Sequence, residues 1–148
     1  MSNYTNFTLQ FSHPTRQYLQ EAREYMEEKR NRWHAWHAAG GNPKVLLEKL
    51  GAKRPNEIMS WGFKFGEISH EEEGFVLHAT ARAKQDEGHL HITGQDGELA
   101  DILSKFPDLR IEGVFKDDDG GGTVHQTEQK YEYKGEEGQE TAMDMKPV

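Results

Sequence analysis

Cysteine is absent from this sequence of 148 residues. Without cysteine, the chain can form no disulfide bond and offers no thiolate ligand to a metal ion. This composition is typical of a reducing compartment, and we expect the protein to be cytoplasmic. No stretch of about 18 consecutive apolar residues occurs, so the sequence predicts no membrane-spanning helix. Residues 1–6 are largely polar and are not followed by an apolar run, so we expect no secretory signal peptide.

Basic charge is also in short supply. The chain has 18 Lys and Arg against 26 Asp and Glu, a formal net charge of −8. Residues 117–148 hold nine acidic and three basic side chains, whereas residues 1–116 hold 17 and 15. Such a chain does not attract nucleic acid over its whole surface, so nucleic-acid binding would need a local basic patch. The acidic end favours a basic partner or serves solubility.

Apolar residues make up 34% of the chain and charged residues 30%. The length suits one domain with one core. Residues 134–148 show no apolar period and are rich in acidic and small side chains. The composition therefore predicts a single domain over residues 1–133 and a disordered acidic tail over residues 134–148.

Apolar periodicity divides the body of the chain into strands and helices. Helical spacing predicts a long helix over 15–39, a short helix between Asn42 and Gly51, and a third helix over 96–106. Alternation of apolar and polar residues predicts strands over 5–11, 58–68, 75–83, 89–93, 109–116 and 123–133. This order predicts an α+β fold, an antiparallel sheet backed by helices, close to a ferredoxin-like sandwich.

Three short stretches carry a family resemblance. Residues 3–9 read Asn-Tyr-Thr-Asn-Phe-Thr-Leu, residues 61–65 read Trp-Gly-Phe-Lys-Phe, and residues 103–109 read Leu-Ser-Lys-Phe-Pro-Asp-Leu. In this order they resemble the motifs Asn-Trp-Cys-x-Asn-x-Leu, Trp-Gly-Thr-Lys-Trp and Leu-Ser-x-x-Phe/Tyr-Pro-Asp-Leu of the YubB family of plasmid- and phage-borne proteins. The resemblance implies a ferredoxin-like domain and a mobile genetic element as the setting. It carries no catalytic residue over to this chain.

One stretch points to nucleic acid. Gly62-Phe63-Lys64-Phe65 partly matches the aromatic strand motif of RNA-recognition domains, in which exposed aromatic rings stack on bases. Trp61, Phe63 and Phe65 would be those rings. Basic side chains at the end of the long helix would contact phosphates. These side chains are Lys29, Arg30 and Arg32. The alternative is that the aromatic residues alternate as buried strand residues do and belong to the core.

An acidic turn offers a second candidate surface. Asp117, Asp118 and Asp119 precede three glycines, and in EF-hand spacing Glu128 would stand at the twelfth position. The fifth position is Gly121, which offers no side-chain oxygen, and predicted strands flank the loop. A flexible loop that contacts a partner is the preferred interpretation over a calcium site.

Two histidines raise the question of a metal site. His34 and His37 are three residues apart on the predicted long helix and therefore share a face. Two imidazoles bind a metal ion only with further ligands close in space. The preferred interpretation is that they flank the packed Trp33 and Trp36, so the sequence predicts no metal and no other cofactor.

Catalytic motifs are missing as well. The sequence has no Gly-x-Ser-x-Gly elbow and no Gly-x-x-x-x-Gly-Lys phosphate loop. We therefore expect a protein that is not an enzyme. The leading hypothesis is an accessory protein of a phage or plasmid that acts by binding another protein. The alternative is a module that binds single-stranded nucleic acid through the aromatic strand.

Overall fold

A computed structural model gives the structure of residues 4–60, 62–84, 92–117, 120–126, 128–134 and 140–145. Within these residues, seven strands form one sheet. The strands are β1 (Tyr4–His13), β2 (Lys64–Glu71), β3 (Gly74–Lys84), β4 (Arg110–Asp117), β5 (Gly120–His125), β6 (Glu128–Lys134) and β7 (Glu140–Met145). The helices are α1 (Arg16–Ala38), α2 (Pro43–Leu50) and α3 (Glu98–Lys105), and a 3₁₀ turn covers Pro55–Glu57. Within this part of the chain, no helix combines the length and the apolar character that a membrane span requires.

The sheet is antiparallel throughout and is built around β1. The strand order is β2-β3-β1-β4-β5-β6-β7. β1 pairs with β3 on one side and with β4 on the other, so that Leu9 lies opposite Ala79 and Gly113. Its alternating sequence buries Phe7, Leu9 and Phe11 and leaves the residues between them exposed. A strand with one apolar and one polar side is the sequence pattern of a sheet that has one dry face and one wet face.

Helices α1 and α3 cover the dry face of the sheet. Leu19, Ala22 and Met26 of α1 recur at helical spacing and are buried in the same cluster as the inward residues of β1, β3 and β4. Leu99 and Ile102 of α3 complete this cluster. The core therefore lies between one layer of helices and one face of the sheet.

Helix α2 packs against the C-terminal half of α1 through a separate cluster. Trp33, Leu46 and Ile58 are its buried members. The Asn42 side chain caps α2 by accepting a hydrogen bond from the Lys44 amide at 2.8 Å. Gly51 ends it in the left-handed conformation, with φ of 67°.

The α+β fold, the helix-backed antiparallel sheet, the long first helix and the short second helix are all confirmed. The sheet extends beyond the four strands of a ferredoxin-like sandwich, so the broader fold class is what the structure establishes. Of the strand predicted at 89–93, residues 89–91 lie outside the described residues, and Ile92 and Thr93 are helical. A short apolar run does not by itself distinguish a strand from a helix, which explains this error.

The end of the sheet also differs from the prediction. The strand predicted at 123–133 is a hairpin of β5 and β6, with Gln126 at φ of 54° between them. Residues 140–145, predicted to be disordered, form β7 and pair with β6. Strand pairing uses main-chain hydrogen bonds, so a polar segment beside an open sheet edge can join the sheet without an apolar period.

Gly113 of β4 lies close to the backbone of β1. A Cβ atom at this position would meet the carbonyl oxygen of Thr8 and would lie 2.8 Å from Leu9 Cδ2 and 2.9 Å from Leu9 Cα. Two of these three atoms belong to the backbone of the central strand, which cannot move aside. We expect Gly113→Ala to lower the free energy of unfolding by about 1–3 kcal/mol in urea titrations.

Val114→Thr is the matched control, since Val114 is the next residue, points to the wet face and is 55% exposed. It keeps a β-branched side chain and should change the stability by less than about 0.5 kcal/mol. Equal unfolding midpoints for the two variants would contradict the close approach at Gly113.

Candidate functional site on the uncovered face of the sheet

Lys29, predicted to contact phosphates, is instead the centre of a buried polar cluster. Its side chain is 1% exposed. Nζ donates to Asp101 Oδ2 at 2.8 Å and to the Asn56 carbonyl oxygen at 3.0 Å, and it lies 3.7 Å from Glu98 Oε2. Burial of an ammonium group is tolerated here because two carboxylates and a carbonyl surround it. The prediction that Lys29 binds an external ligand is therefore wrong.

Neighbouring side chains complete the cluster. The Tyr25 hydroxyl donates to Asp101 Oδ2 at 2.6 Å, and Ser60 Oγ donates to Glu98 Oε2 at 2.9 Å. Burial and the adjacent Asp101 carboxylate raise the pKa of Tyr25 far above its usual range, so the phenol stays protonated and remains a donor. The cluster joins α1, α3 and the segment between α2 and β2, and its buried position indicates a structural role.

Glu57 holds the turn that brings the Asn56 carbonyl to Lys29. Its Oε2 accepts hydrogen bonds from the amides of Lys53 and Arg54, each at 2.8 Å. These two amides, with Lys105 close by, hold the pKa of the Glu57 carboxyl below its ordinary value. The ionised form is thus the one that the folded turn binds.

The stacking surface that the nucleic-acid alternative requires does not include Phe63. Phe63 is fully buried, with its ring centroid 6.4 Å from that of Phe11 and 6.0 Å from that of Phe65. Phe65 is half-buried against the core, and Trp61 lies outside the described residues. Phe63 cannot stack on a base without leaving the core, so the alternative that these aromatic residues pack inside holds at Phe63.

The other predicted residues are not brought together. Arg30 is half-buried and donates to the Phe63 carbonyl oxygen, whereas Arg32 is exposed and lies 3.4 Å from the Glu57 carbonyl oxygen. Asp117 ends β4, and Asp118 and Asp119 lie outside the described residues. The helix end therefore does not present Lys29, Arg30 and Arg32 as one basic surface.

The two candidate metal ligands are exposed on α1. The ring of His37 stacks on that of Trp33, with centroids 5.6 Å apart. Among the described residues, no three or more His, Cys, Asp or Glu side chains form a group that could hold a metal ion.

The wet face of the sheet, which we call the open face, carries a set of exposed side chains that point away from both helices. They are Asn6, Thr8 and Gln10 of β1, Lys64 of β2, His78, Thr80 and Arg82 of β3, Arg110, Glu112, Val114 and Lys116 of β4, and Thr123 and His125 of β5. Their alternation with core residues follows from the period of two in a strand. Val114, 55% exposed, lies at the centre of this face.

One end of the open face is basic. The register places Arg82 opposite Asn6 and Asn6 opposite Lys116. Lys64 of β2 lies opposite Thr80, one row further along. The guanidinium carbon of Arg82 lies 4.0 Å from the centroid of the Tyr4 ring, in a cation–π contact. We call the region formed by Tyr4, Lys64, Arg82 and Lys116 the basic end.

The other end of the open face is acidic. Glu112 Oε1 lies 3.6 Å from Arg110 Nε and 3.4 Å from His125 Nδ1. Beside it is a depression of about 730 Å³. The acidic side chains that line it are Glu71, Glu72, Glu73, Asp108 and Glu112. The open face is therefore polarised along β1, and about four residues, roughly 13 Å, separate its two ends.

Sequence reasoning missed Tyr4, Arg82, Lys116 and Lys64 as a group. Part of the signal was present, because alternation puts Thr8 and Gln10 of β1, and Thr80 and Arg82 of β3, on the polar sides of their strands. Which strands are neighbours, and in what register, is fixed only by tertiary pairing.

The chemistry of the open face is that of binding: guanidinium and ammonium groups bind carboxylate or phosphate oxygens, and Thr, Asn and Gln exchange hydrogen bonds. No protein-family model, curated protein or solved structure matches this chain.

We expect the buried cluster around Lys29 to stabilise the folded protein. Lys29→Met leaves the carboxylates of Asp101 and Glu98 buried without their cation. We expect the free energy of unfolding to fall by about 3–5 kcal/mol, measured by urea denaturation. Arg16→Met, on the exposed first turn of the same helix, is the control and should shift it by less than about 0.5 kcal/mol. A Lys29→Met variant as stable as the control would show that the cluster does not hold the helices together.

We expect Glu57 to make the stability of the protein depend on pH. Because folding lowers its pKa, its contribution to stability is complete above the ordinary value of 4.5 and is lost as pH falls through the lower folded value. Glu57→Gln should therefore destabilise the protein at neutral pH and lose less stability than the unaltered chain between neutral and acidic buffers. Urea titrations across this range measure both effects. Glu28→Gln, exposed on α1, is the control, and identical pH profiles for the two variants would refute the role of Glu57.

Proposed function

We propose that this chain is a non-enzymatic accessory protein that acts by binding another protein, with the open face of the sheet as its binding surface. The observation that carries this proposal is the exposure of one whole face of the three central strands, with Val114 at its centre. One face of an antiparallel sheet tolerates water, so exposure alone is not a function. The grouping of Tyr4, Arg82 and Lys116 at one end is what distinguishes this face.

The setting is proposed from the resemblance to the YubB family. Residues 3–9, 61–65 and 103–109 support a phage or plasmid origin, and the absence of cysteine supports action in the cytoplasm. A ferredoxin-like relationship is supported by the order β2-β3-β1-β4, with α1 and α3 in the two connections. Strands β5, β6 and β7 extend the sheet beyond that arrangement.

Single-stranded nucleic acid is the second candidate ligand. The observation that favours it is the stacked pair of Tyr4 and Arg82 with Lys116 near by, since ring, guanidinium and ammonium are the groups that such ligands use. In this alternative the nucleic acid stacks on the open face and not on Phe63, because Phe63 is buried. The acidic end of the same face disfavours it, because a strand that crosses the face brings its phosphates toward Glu112.

Site-specific photocrosslinking tests the binding surface. A benzoylphenylalanine placed at Val114 reports on the open face, and one placed at Glu28 reports on the solvent side of α1. Expressed in the native host and irradiated, the first variant should form adducts and the second should not. Both variants must unfold in urea at a similar midpoint to the unaltered chain.

The nature of the adducts decides between the candidates. Adducts that protease removes and nuclease leaves intact support a protein partner. Adducts that nuclease removes support nucleic acid in its place. A chain labelled at Val114 that forms no more adducts than the chain labelled at Glu28 does not use the open face for binding.

A further inference from the structure

The two ends of the open face differ in charge, and this difference identifies the chemistry of the partner. We infer that the basic end binds an extended acidic segment of the partner protein, with Arg82 and Lys116 on its carboxylates and the Tyr4 ring holding Arg82 in place. This inference rests on the proposed function and adds to it the chemical class of the ligand and the residues that recognise it.

The spacing of the two cations suits an extended polypeptide. Arg82 and Lys116 flank Asn6 across β1, so two strand spacings separate their backbones, roughly 10 Å. In an extended chain, side chains on the same side recur every two residues, roughly 7 Å. The long side chains of Arg, Lys and Glu cover the difference. Carboxylates two residues apart in the partner can therefore each reach one cation.

Tyr4 prepares Arg82 for this contact. The guanidinium stacks on the ring with its carbon 4.0 Å from the ring centroid. A stacked guanidinium keeps the N–H groups at its edge free to form a bidentate pair with a carboxylate. The ring also restricts the rotamers of a long side chain, so less side-chain entropy is lost on binding. Tyr4 is therefore a positioning residue for Arg82.

Two observations favour an acidic peptide over nucleic acid. Tyr4 is the one Phe, Tyr or Trp on the open face among the residues whose side chains are described, and Arg82 already covers its ring. Single-strand binders stack successive bases on several aromatic side chains. The basic end is also small, because Glu112 lies about two rows away along β4. A segment that crosses from Arg82 to Lys116 with two or three carboxylates fits this row, whereas a longer polyanion that runs along the strands brings its phosphates to Glu112.

Fluorescence anisotropy with the full chain at low ionic strength tests the inference. The probe is a short fluorescein-labelled peptide in which Glu alternates with Thr, so that an extended chain presents its carboxylates on one side. The comparison probes are the same peptide with Gln in place of Glu, and an oligothymidylate of similar length. We expect the Glu peptide to bind, the Gln peptide to bind far more weakly, and affinity to fall as salt rises.

Variants identify the residues responsible. Arg82→Gln should weaken binding of the Glu peptide about fivefold, the upper range for an exposed ion pair. Tyr4→Leu should weaken it, whereas Tyr4→Phe, which keeps the ring, should not. Arg110→Gln is the matched control, because Arg110 is a cation on the same face but next to Glu112 at the acidic end. It should leave affinity nearly unchanged, because Arg110 lies six residues from Lys116 along β4, roughly 20 Å, which exceeds the screening length of about 10 Å.

Three results would overturn the inference. They are equal binding of the Glu and Gln peptides, equal losses from Arg82→Gln and Arg110→Gln, and binding of the oligothymidylate in preference to the Glu peptide. The photocrosslinking result is independent of these. Protein adducts at Val114 without binding of the Glu peptide leave the proposed function intact and remove the acidic segment. Binding of the Glu peptide without adducts at Val114 removes the proposed function instead.

Discussion

The pairing of β1 with both β3 and β4 is the constraint on which the rest of the structure depends. It places a strand with a strict apolar alternation at the centre of the sheet, where Leu9 meets Ala79 and Gly113. Because side chains alternate across a strand, this register determines which face of all three strands is dry. Helices α1 and α3 then have one face on which to bury Leu19, Met26, Leu99 and Ile102. The opposite face is left in water and is the surface on which we propose that a partner binds.

The buried cluster around Lys29 fixes the helices on that dry face. A single ammonium group binds Asp101 of α3 and the carbonyl of Asn56, so it ties the two helices to the segment that leads into β2. Apolar packing alone is not directional, whereas these hydrogen bonds have fixed partners and distances. The position of α1 over the sheet is thereby specified as well as stabilised. The consequence for function is that Lys29 is unavailable to ligands.

Charge is distributed unevenly within an acidic protein. The chain carries a net charge of −8, yet Arg82, Lys116 and Lys64 gather at one end of the open face while five carboxylates line the depression at the other. Fields from surface charges act over about 10 Å at ordinary ionic strength, so each end presents its own potential to a partner. The net charge of the whole chain does not show this distribution. A surface of this kind fixes the orientation of a partner in addition to attracting it.

The sequence by itself determined the α+β class, the strands β1, β3 and β4, the long and short helices and the absence of disulfides, because periodicity and composition are local properties. It placed β2 over 58–68, whereas the strand covers Lys64–Glu71. It did not determine the pairing of β5, β6 and β7, since strand pairing depends on main-chain partners that no side-chain pattern marks. For the candidate site, sequence proximity grouped Lys29 with Arg30 and Arg32, and aromatic character left open whether Phe63 was exposed or buried. The tertiary structure buried Lys29 and Phe63 and brought Tyr4, Arg82 and Lys116 together from three strands. Burial and charge clustering arise from contacts between residues far apart in the chain, and for that reason only the folded structure decided them.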